Sequence, residues 1–373
     1  MSTLPPIENK RDIEFIHSAR ALAVIIVLYV HLFGWWMAVA GEHMWHYDKY
    51  QEWIVRPFNL YQSGGHIGVV LFFLVSGYII SHVSIRETRS DFLIRRFFRI
   101  APMLVVGIIS MIFCYWISEK LAVLPPLGDG IWSKKDILAN IFLVNYPKGS
   151  PSISTVTWTL FIEVIFYLII FAAPKTANYH ASTCIIIAIS VFSQILKYTP
   201  VYGFLGIPQI TGFTPFIAIL AVGRCIYFCE TRKNKYDIPL LSLSIIAFFS
   251  VYEMQWPGKL ILTGGDGSLT TYVSSIFIFI ALMKTSNNKT NPVVKYISSR
   301  SYSIYLLHIP IGTTALSILH KNTSLPLAYF AAIILIALFC ELSYRTIELP
   351  TQTLGKFIAK KLASKNKGMS CAI

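Results

Sequence analysis

An all-α, polytopic integral membrane bundle of about ten transmembrane helices, both termini cytoplasmic, is the fold class this sequence predicts, and three observations predict it. The 373 residues are 55% hydrophobic and 13% charged, whereas soluble domains average about 25% charged residues. Apolar stretches near the ~20 residues needed to cross a bilayer as a helix recur along the whole chain. The loops between them are short and polar, and basic residues gather in alternate ones.

The expected spans are 17–40, 66–82, 100–117, 155–173, 181–197, 207–228, 237–253, 269–283, 300–319 and 327–349. The first contains ALAVIIVLYVHLFGWWMAV, ending near an Ala38-Val39-Ala40 triplet that resembles a signal-peptidase site. Its apolar run exceeds the ~7–15 residues of a signal-peptide core and carries His31, Trp35 and Trp36, so it reads as a retained helix. The second holds GVVLFFLVSGYII, and the third follows the basic RRFFR. Between the third and fourth, Asp136–Asn145 is apolar but too short to span, which makes it re-entrant or interfacial. The fourth contains WTLFIEVIFYL, and the next four are continuous apolar runs. In the ninth, Pro310 predicts a kink, and the tenth is the apolar run before SYRTIELP. The whole reads as one integral domain, 1–373, with residues 1–16 and a basic tail, 351–373, on the cytoplasmic side and no appended soluble domain.

A net charge of +14 suggests nucleic acid, but its distribution argues against that partner. Arg86, Arg89, Arg95, Arg96 and Arg99 follow the second span, Arg232, Lys233 and Lys235 follow the sixth, and Lys356, Lys360, Lys361, Lys365 and Lys367 lie in the tail. This is the positive-inside pattern, with basic residues retained on the cytoplasmic side. Cys114, Cys184, Cys225, Cys229 and Cys340 fall in spans and Cys371 in the tail, so no loop pair suggests a disulfide. Cys225 and Cys229 share a helix face, but two thiols without further ligands make packing the better reading than metal.

Ionisable residues inside spans are costly and are functional hypotheses by default. Eleven steps of ~100° leave Arg20 and His31 about 20° apart around one helix and about 16 Å apart along it. Arg20 then stands at the cytoplasmic edge and His31 about 12 Å below the external face. Glu163 comes to a similar depth in the fourth span, so the two meet if their helices are neighbours. A carboxylate of that kind fixes an imidazole tautomer; the alternative is a Glu163 satisfied elsewhere for packing alone. His308 and Glu341 also share a depth and are a candidate pair, with a hydrogen-bonded core histidine as the plainer reading. Arg345, with Glu341 four residues before and Glu348 three after, reads as charge satisfied within one helix.

The external loop 41–66 carries His43, His46, His66, Glu42 and Asp48 among Trp45, Tyr47, Tyr50, Trp53 and Tyr61. His43-x-x-His46 lacks the frame of a metal site. The aromatic residues read as an interfacial belt or as the rim of a carbohydrate-binding mouth. The Arg95-Arg96-Phe97-Phe98-Arg99 cluster serves topology and lipid contact, or bidentate phosphate binding, for which guanidinium forks are suited.

In sequence order, Arg20-x10-His31, GVVLFFLVSGYII (68–80), RRFFRIAP (95–102), WTLFIEVIFYL (158–168), SYSIYLLHIP (301–310) and SYRTIELP (343–350) together resemble the acyltransferase-3 family of bacterial inner-membrane acyltransferases. The resemblance spans essentially the whole chain. It implies transfer of an acyl group, usually acetyl from acetyl-CoA, to a hydroxyl of a cell-surface carbohydrate or its lipid-linked precursor. It implies His31 and Glu163 as catalytic residues, and Arg20, Arg95, Arg96, Arg99, Tyr302 and His308 as donor-binding ones, with no metal. The chain departs from the family pattern in holding Val69 and Val70 where many members carry an acidic residue. TLFIE also replaces the commoner SLSxE form, leaving Thr159 and Phe161 for the serines.

Chemically, a sugar hydroxyl needs a base as it attacks a thioester, and a histidine of ordinary pKa near ~6.5 is matched to that work. Polyanionic coenzyme A suits arginines at the inner face. His31 serves either as a base in direct transfer or as an acylated carrier. A transporter or flippase is the rival class, opposed by the absence of duplicated halves; a small-molecule acceptor would keep the chemistry and change the substrate.

Overall fold

The computed structural model describes residues 11–126, 130–172, 179–199, 211–257, 268–286 and 290–370. Within them lie eight helices long and apolar enough to span a membrane. They are α1 (Glu14–Ala40), α2 (Tyr61–Ser84), α3 (Arg89–Leu121), α5 (Tyr179–Leu196), α6 (Thr214–Thr231), α7 (Asp237–Gln255), α9 (Pro292–Leu319) and α10 (Leu325–Leu362). Two shorter apolar helices, α4 (Trp158–Ala172) and α8 (Leu269–Thr285), stand at the remaining expected positions. Residues 1–10, 207–210 and Cys371, which carried expectations, lie outside the described residues.

Local chemistry sets several of the boundaries. Thr88 caps α3 by accepting from the Asp91 amide at 3.2 Å, and the Asn291 side chain accepts from the Val293 amide at 2.8 Å before Pro292 opens α9. The segment expected to be re-entrant or interfacial forms two short helices, Lys134–Ile141 and Asn145–Lys148, the first closed by a Ser133–Asp136 capping box. Two expected boundaries move. At 33 residues, α3 is longer than a bilayer requires, so Arg89–Arg99 belong to the helix rather than to a preceding loop. The tail is helical as well, the helix Leu349–Ser370 forming the end of α10 and running beyond it, with Gly355 seated against Phe98 of α3.

Glycine controls the closest helix crossing. A Cβ on Gly77 would fall 2.1 Å from the Leu220 carbonyl oxygen, and one on Gly223 would fall 2.3 Å from that of Leu74. Helices α2 and α6 therefore touch backbone to backbone, as membrane helices do at small residues. On its other side α2 meets α1, where a Cβ on Gly68 would fall 2.5 Å from the Ala23 oxygen.

Two apolar cores result, one built chiefly from α2, α6 and α7, the other from α1, α3, α9 and α10. Val69, Phe72, Val164, Ile165 and Phe213 pack against both, and the polar residues of interest lie along that seam. The outer faces are apolar and uncovered, as with Phe330, Leu338 and Leu342 of α10 and Ile109 and Phe113 of α3, which is the surface a lipid-facing helix presents.

Helices α1 and α9 run parallel, joined by a ladder of side-chain bonds. His17 meets Ser298 at 3.0 Å, Arg20 meets Ser301 at 2.8 Å, and Trp36 donates to Ser317 at 2.9 Å. Each helix carries a π-helical turn, Val30–Trp36 in α1 and His308–Thr313 in α9. The second contains Pro310, whose missing N–H frees a carbonyl from the α ladder, and stands where the kink was expected. Such turns are infrequent and recur at functional sites. His31 and His308 lie at their openings.

Candidate active site

Arg20 and His31 reach the same neighbouring helix, as the one-face spacing predicts, but they serve two cavities. The smaller, about 60 Å³, is lined by Arg20, Arg99, Glu163, Tyr167, Ser301 and Tyr302, among others. The larger, about 980 Å³, has His31 on its wall with Tyr47, Trp158, Phe216, Trp256 and Tyr272. Val69 and Tyr305 line both. The two spaces thus adjoin at these residues, on the seam between the cores.

The small cavity is a polar slot in an apolar frame. Arg20 donates to the Ser301 hydroxyl at 2.8 Å. Glu163 accepts from Ser76 at 2.9 Å and from the Tyr167 hydroxyl, so a carboxylate stands in the same slot as the two guanidinium groups. The Tyr302 hydroxyl donates to the Ile100 carbonyl at 2.9 Å, tying α9 to α3. The expected arginine cluster divides. Arg99 lines the slot, whereas Arg95 and Arg96 pair with Glu87 at 3.2 and 3.5 Å, and Arg96 lies over Phe92.

The expected meeting of His31 with Glu163 does not occur. Glu163 turns toward Ser76 and Tyr167, and His31 Nδ1 lies 2.9 Å from His308 Nε2, the two rings tilted 35° to one another. The expected His308–Glu341 pair is absent too. Glu341 bonds Arg300, Arg345 and the Tyr296 hydroxyl, while His308, fully buried, bonds the Ile304 carbonyl at 2.9 Å. The physical reason is shared: each carboxylate has a closer hydroxyl or guanidinium partner on its own or an adjoining helix. Of the two acids expected to satisfy Arg345, Glu341 does so, and Glu348 instead accepts from Ser303 and Gln352.

Tyr305 is the polar residue where the cavities adjoin. Its hydroxyl stands 2.9 Å from that of Thr159 and donates to the Val156 carbonyl at 3.1 Å. Thr159, at one of the positions where the chain departs from the family pattern, thus has a polar partner across the seam. The loop aromatics also divide. Tyr47 and Tyr61 line the large cavity, while Trp45 and Trp53 are exposed at 77% and 65%. His66 reaches the cavity wall and bonds the Tyr272 hydroxyl at 2.9 Å.

Sequence reasoning missed Ser76, Tyr167, Ser301 and Tyr305. A signal for part of this set was present: Ser301, Tyr305 and His308 fall at i, i+4 and i+7, one face of a helix. Among the described residues, no three His, Cys, Asp or Glu side chains converge as metal ligands would.

An arginine-bearing slot and a histidine-bearing cavity thus stand back to back within this membrane bundle. The chain belongs to the acyltransferase-3 family of enzymes, whose acyltransferase domain it matches over residues 13–345. It is 24% identical to an O-acetyl transferase of Shigella phage Sf6 over 70% of this chain and 78% of that one. It is 27% identical to a peptidoglycan O-acetyltransferase of Listeria monocytogenes over 93% of this chain and 57% of that one. The chain thus spans little more than half the length of the Listeria relative. No solved structure matches it.

Proposed function

We propose that this acyltransferase moves an acetyl group from acetyl-CoA, entering on the cytoplasmic side, to a hydroxyl of a cell-surface carbohydrate or its lipid-linked precursor, in the bacterial inner membrane. The observation that carries this reading is the pair of cavities meeting at Val69 and Tyr305, with Arg20 in one and His31 in the other. The names of the relatives, O-acetyl transferase and peptidoglycan O-acetyltransferase, agree with the acyl group and the acceptor class.

Each cavity suits one substrate. A slot of about 60 Å³ takes an extended chain rather than a nucleotide, so the donor's thioester arm lies there beside Arg20, Arg99 and Tyr302, with the phosphates toward the basic face. Arg95 and Arg96 are instead paired with Glu87. The aromatic cavity of about 980 Å³ is at the upper end of the ~300–1,000 Å³ usual for ligand sites, room for more than one sugar ring stacked on Trp158 or Trp256. His31 is the base: it takes the acceptor proton as the oxygen attacks the thioester carbonyl, the carbon–sulfur bond breaks, and the proton passes to the departing thiolate. Such a base contributes ~10²–10⁴-fold.

The reading is tested with purified protein in lipid vesicles, following release of free CoA from acetyl-CoA. Release that depends on an added lipid-linked sugar or polysaccharide supports it. Movement of an intact glycolipid without CoA release would instead identify a flippase.

A further inference from the structure

We infer that His308 is a positioning residue that fixes the tautomer of His31, so that the carbonyl of Ile304, His308 and His31 form a one-way hydrogen-bond chain ending at a bare His31 Nε2. The inference rests on the reading of His31 as base and adds how that base is kept in its working form.

A backbone carbonyl only accepts hydrogen bonds, so the His308 Nδ1 that lies 2.9 Å from the Ile304 oxygen carries its hydrogen. In the neutral ring the other nitrogen, Nε2, then holds a lone pair. His31 Nδ1 lies 2.9 Å from that lone pair and donates to it, and the Val27 carbonyl, one turn back on the same helix, also accepts from the His31 ring. The remaining nitrogen of His31, Nε2, is left without its hydrogen. Nε2 bonds no side chain among the described residues, and the residue itself lines the aromatic cavity.

Neutrality of both rings follows from the surroundings. His308 is fully buried, and no carboxylate bonds either ring among the described residues; a buried imidazolium without a counter-charge is costly. The Ser-His-Asp arrangement solves the same problem with a carboxylate behind the base. Here a second imidazole, itself oriented by a carbonyl, takes that place. Both histidines stand at the start of π-helical turns, which are rare and recur at functional sites.

The test reads the tautomer directly, by ¹⁵N solid-state NMR of histidine-labelled protein in lipid bilayers, with His31→Gln supplying the assignment. The expected result is hydrogen on His31 Nδ1 and none on Nε2. Substituting His308→Leu should mix the His31 tautomers and lower kcat by at least about tenfold, toward the ~10⁴-fold that a wrong histidine tautomer costs elsewhere, with the KM for acetyl-CoA unchanged. In His308→Gln the amide oxygen accepts the same hydrogen, so the single tautomer and most of kcat return. A wild-type protein with hydrogen on His31 Nε2 overturns the inference, even if the His308 variants fail to fold. So does an unchanged His31 tautomer in His308→Leu. Because the spectrum is read without turnover, full activity in His31→Gln would remove the base reading while leaving the tautomer result standing.

Discussion

Replacing Tyr305 separates what its ring does from what its hydroxyl does. The hydroxyl donates to the Val156 carbonyl at 3.1 Å and accepts from Thr159 at 2.9 Å. Once it is removed Thr159 turns its hydrogen to that same carbonyl, 3.0 Å away, so Tyr305→Phe leaves no buried atom orphaned and costs only the ~0.5–1.5 kcal/mol of an ordinary hydrogen bond. Tyr305→Ala removes the ring as well, at ~3–5 kcal/mol for a buried aromatic, and widens the place where the two cavities meet. If the ring narrows that meeting place, Tyr305→Phe keeps CoA release tied to acceptor. Tyr305→Ala, or Tyr305→Leu should the first not fold, admits water to the thioester. Acceptor-independent release then rises about tenfold relative to coupled transfer, the equivalent of ~1.4 kcal/mol in barrier height. The assay is CoA release from acetyl-CoA with and without a carbohydrate acceptor, beside thermal unfolding in detergent. A Tyr305→Phe variant as impaired as Tyr305→Ala, at near-native stability, would refute the argument and transfer the role to the hydroxyl.

The remaining expectations concern charge and packing. Glu163→Gln weakens the bonds from Ser76 and Tyr167 and leaves Arg20 and Arg99 short of a carboxylate; at ~1.5–3 kcal/mol for a charged hydrogen bond, kcat/KM should fall about 10–150-fold, and a change under twofold would count against a working role for Glu163. Arg99→Ala should raise the KM for acetyl-CoA at least about tenfold, or ~1.4 kcal/mol, whereas Arg95→Ala should change it less than about threefold because that side chain is spent on Glu87; equal effects from the two in a saturation series would contradict the division of the cluster. Gly223→Val should prevent recovery of folded protein in size-exclusion chromatography, since its Cβ would stand 2.3 Å from the Leu74 oxygen, and a normal monodisperse peak would show that the α2–α6 crossing yields.

Much of the fold was legible because bilayer physics writes it into composition: a span needs a long apolar run, and all ten expected runs meet a helix. The lengths of α3 and α10 were not legible, because helix beyond the hydrocarbon is polar and looks like loop in Arg89–Arg99 and in the basic tail. Within the site, the common face of Arg20 and His31 followed from helical periodicity. Partner choice did not. Depth placed Glu163 level with His31 and Glu341 level with His308, yet depth fixes one coordinate, and the lateral neighbours were Ser76, Tyr167, Arg300 and the other histidine. A π-helical turn leaves no periodic mark in a uniformly apolar sequence, so the feature shared by both histidines was invisible until the helices were seen side by side.

The central claim, that one reaction centre is reached from two cavities, is tested most directly by sidedness in proteoliposomes of known orientation. Acetyl-CoA labelled in the acetyl group is supplied only on the face bearing Arg89–Arg99, and the carbohydrate acceptor only on the opposite one. The account predicts label on the acceptor across the membrane, lost in His31→Gln. Transfer that proceeds only with donor and acceptor on the same face would contradict it.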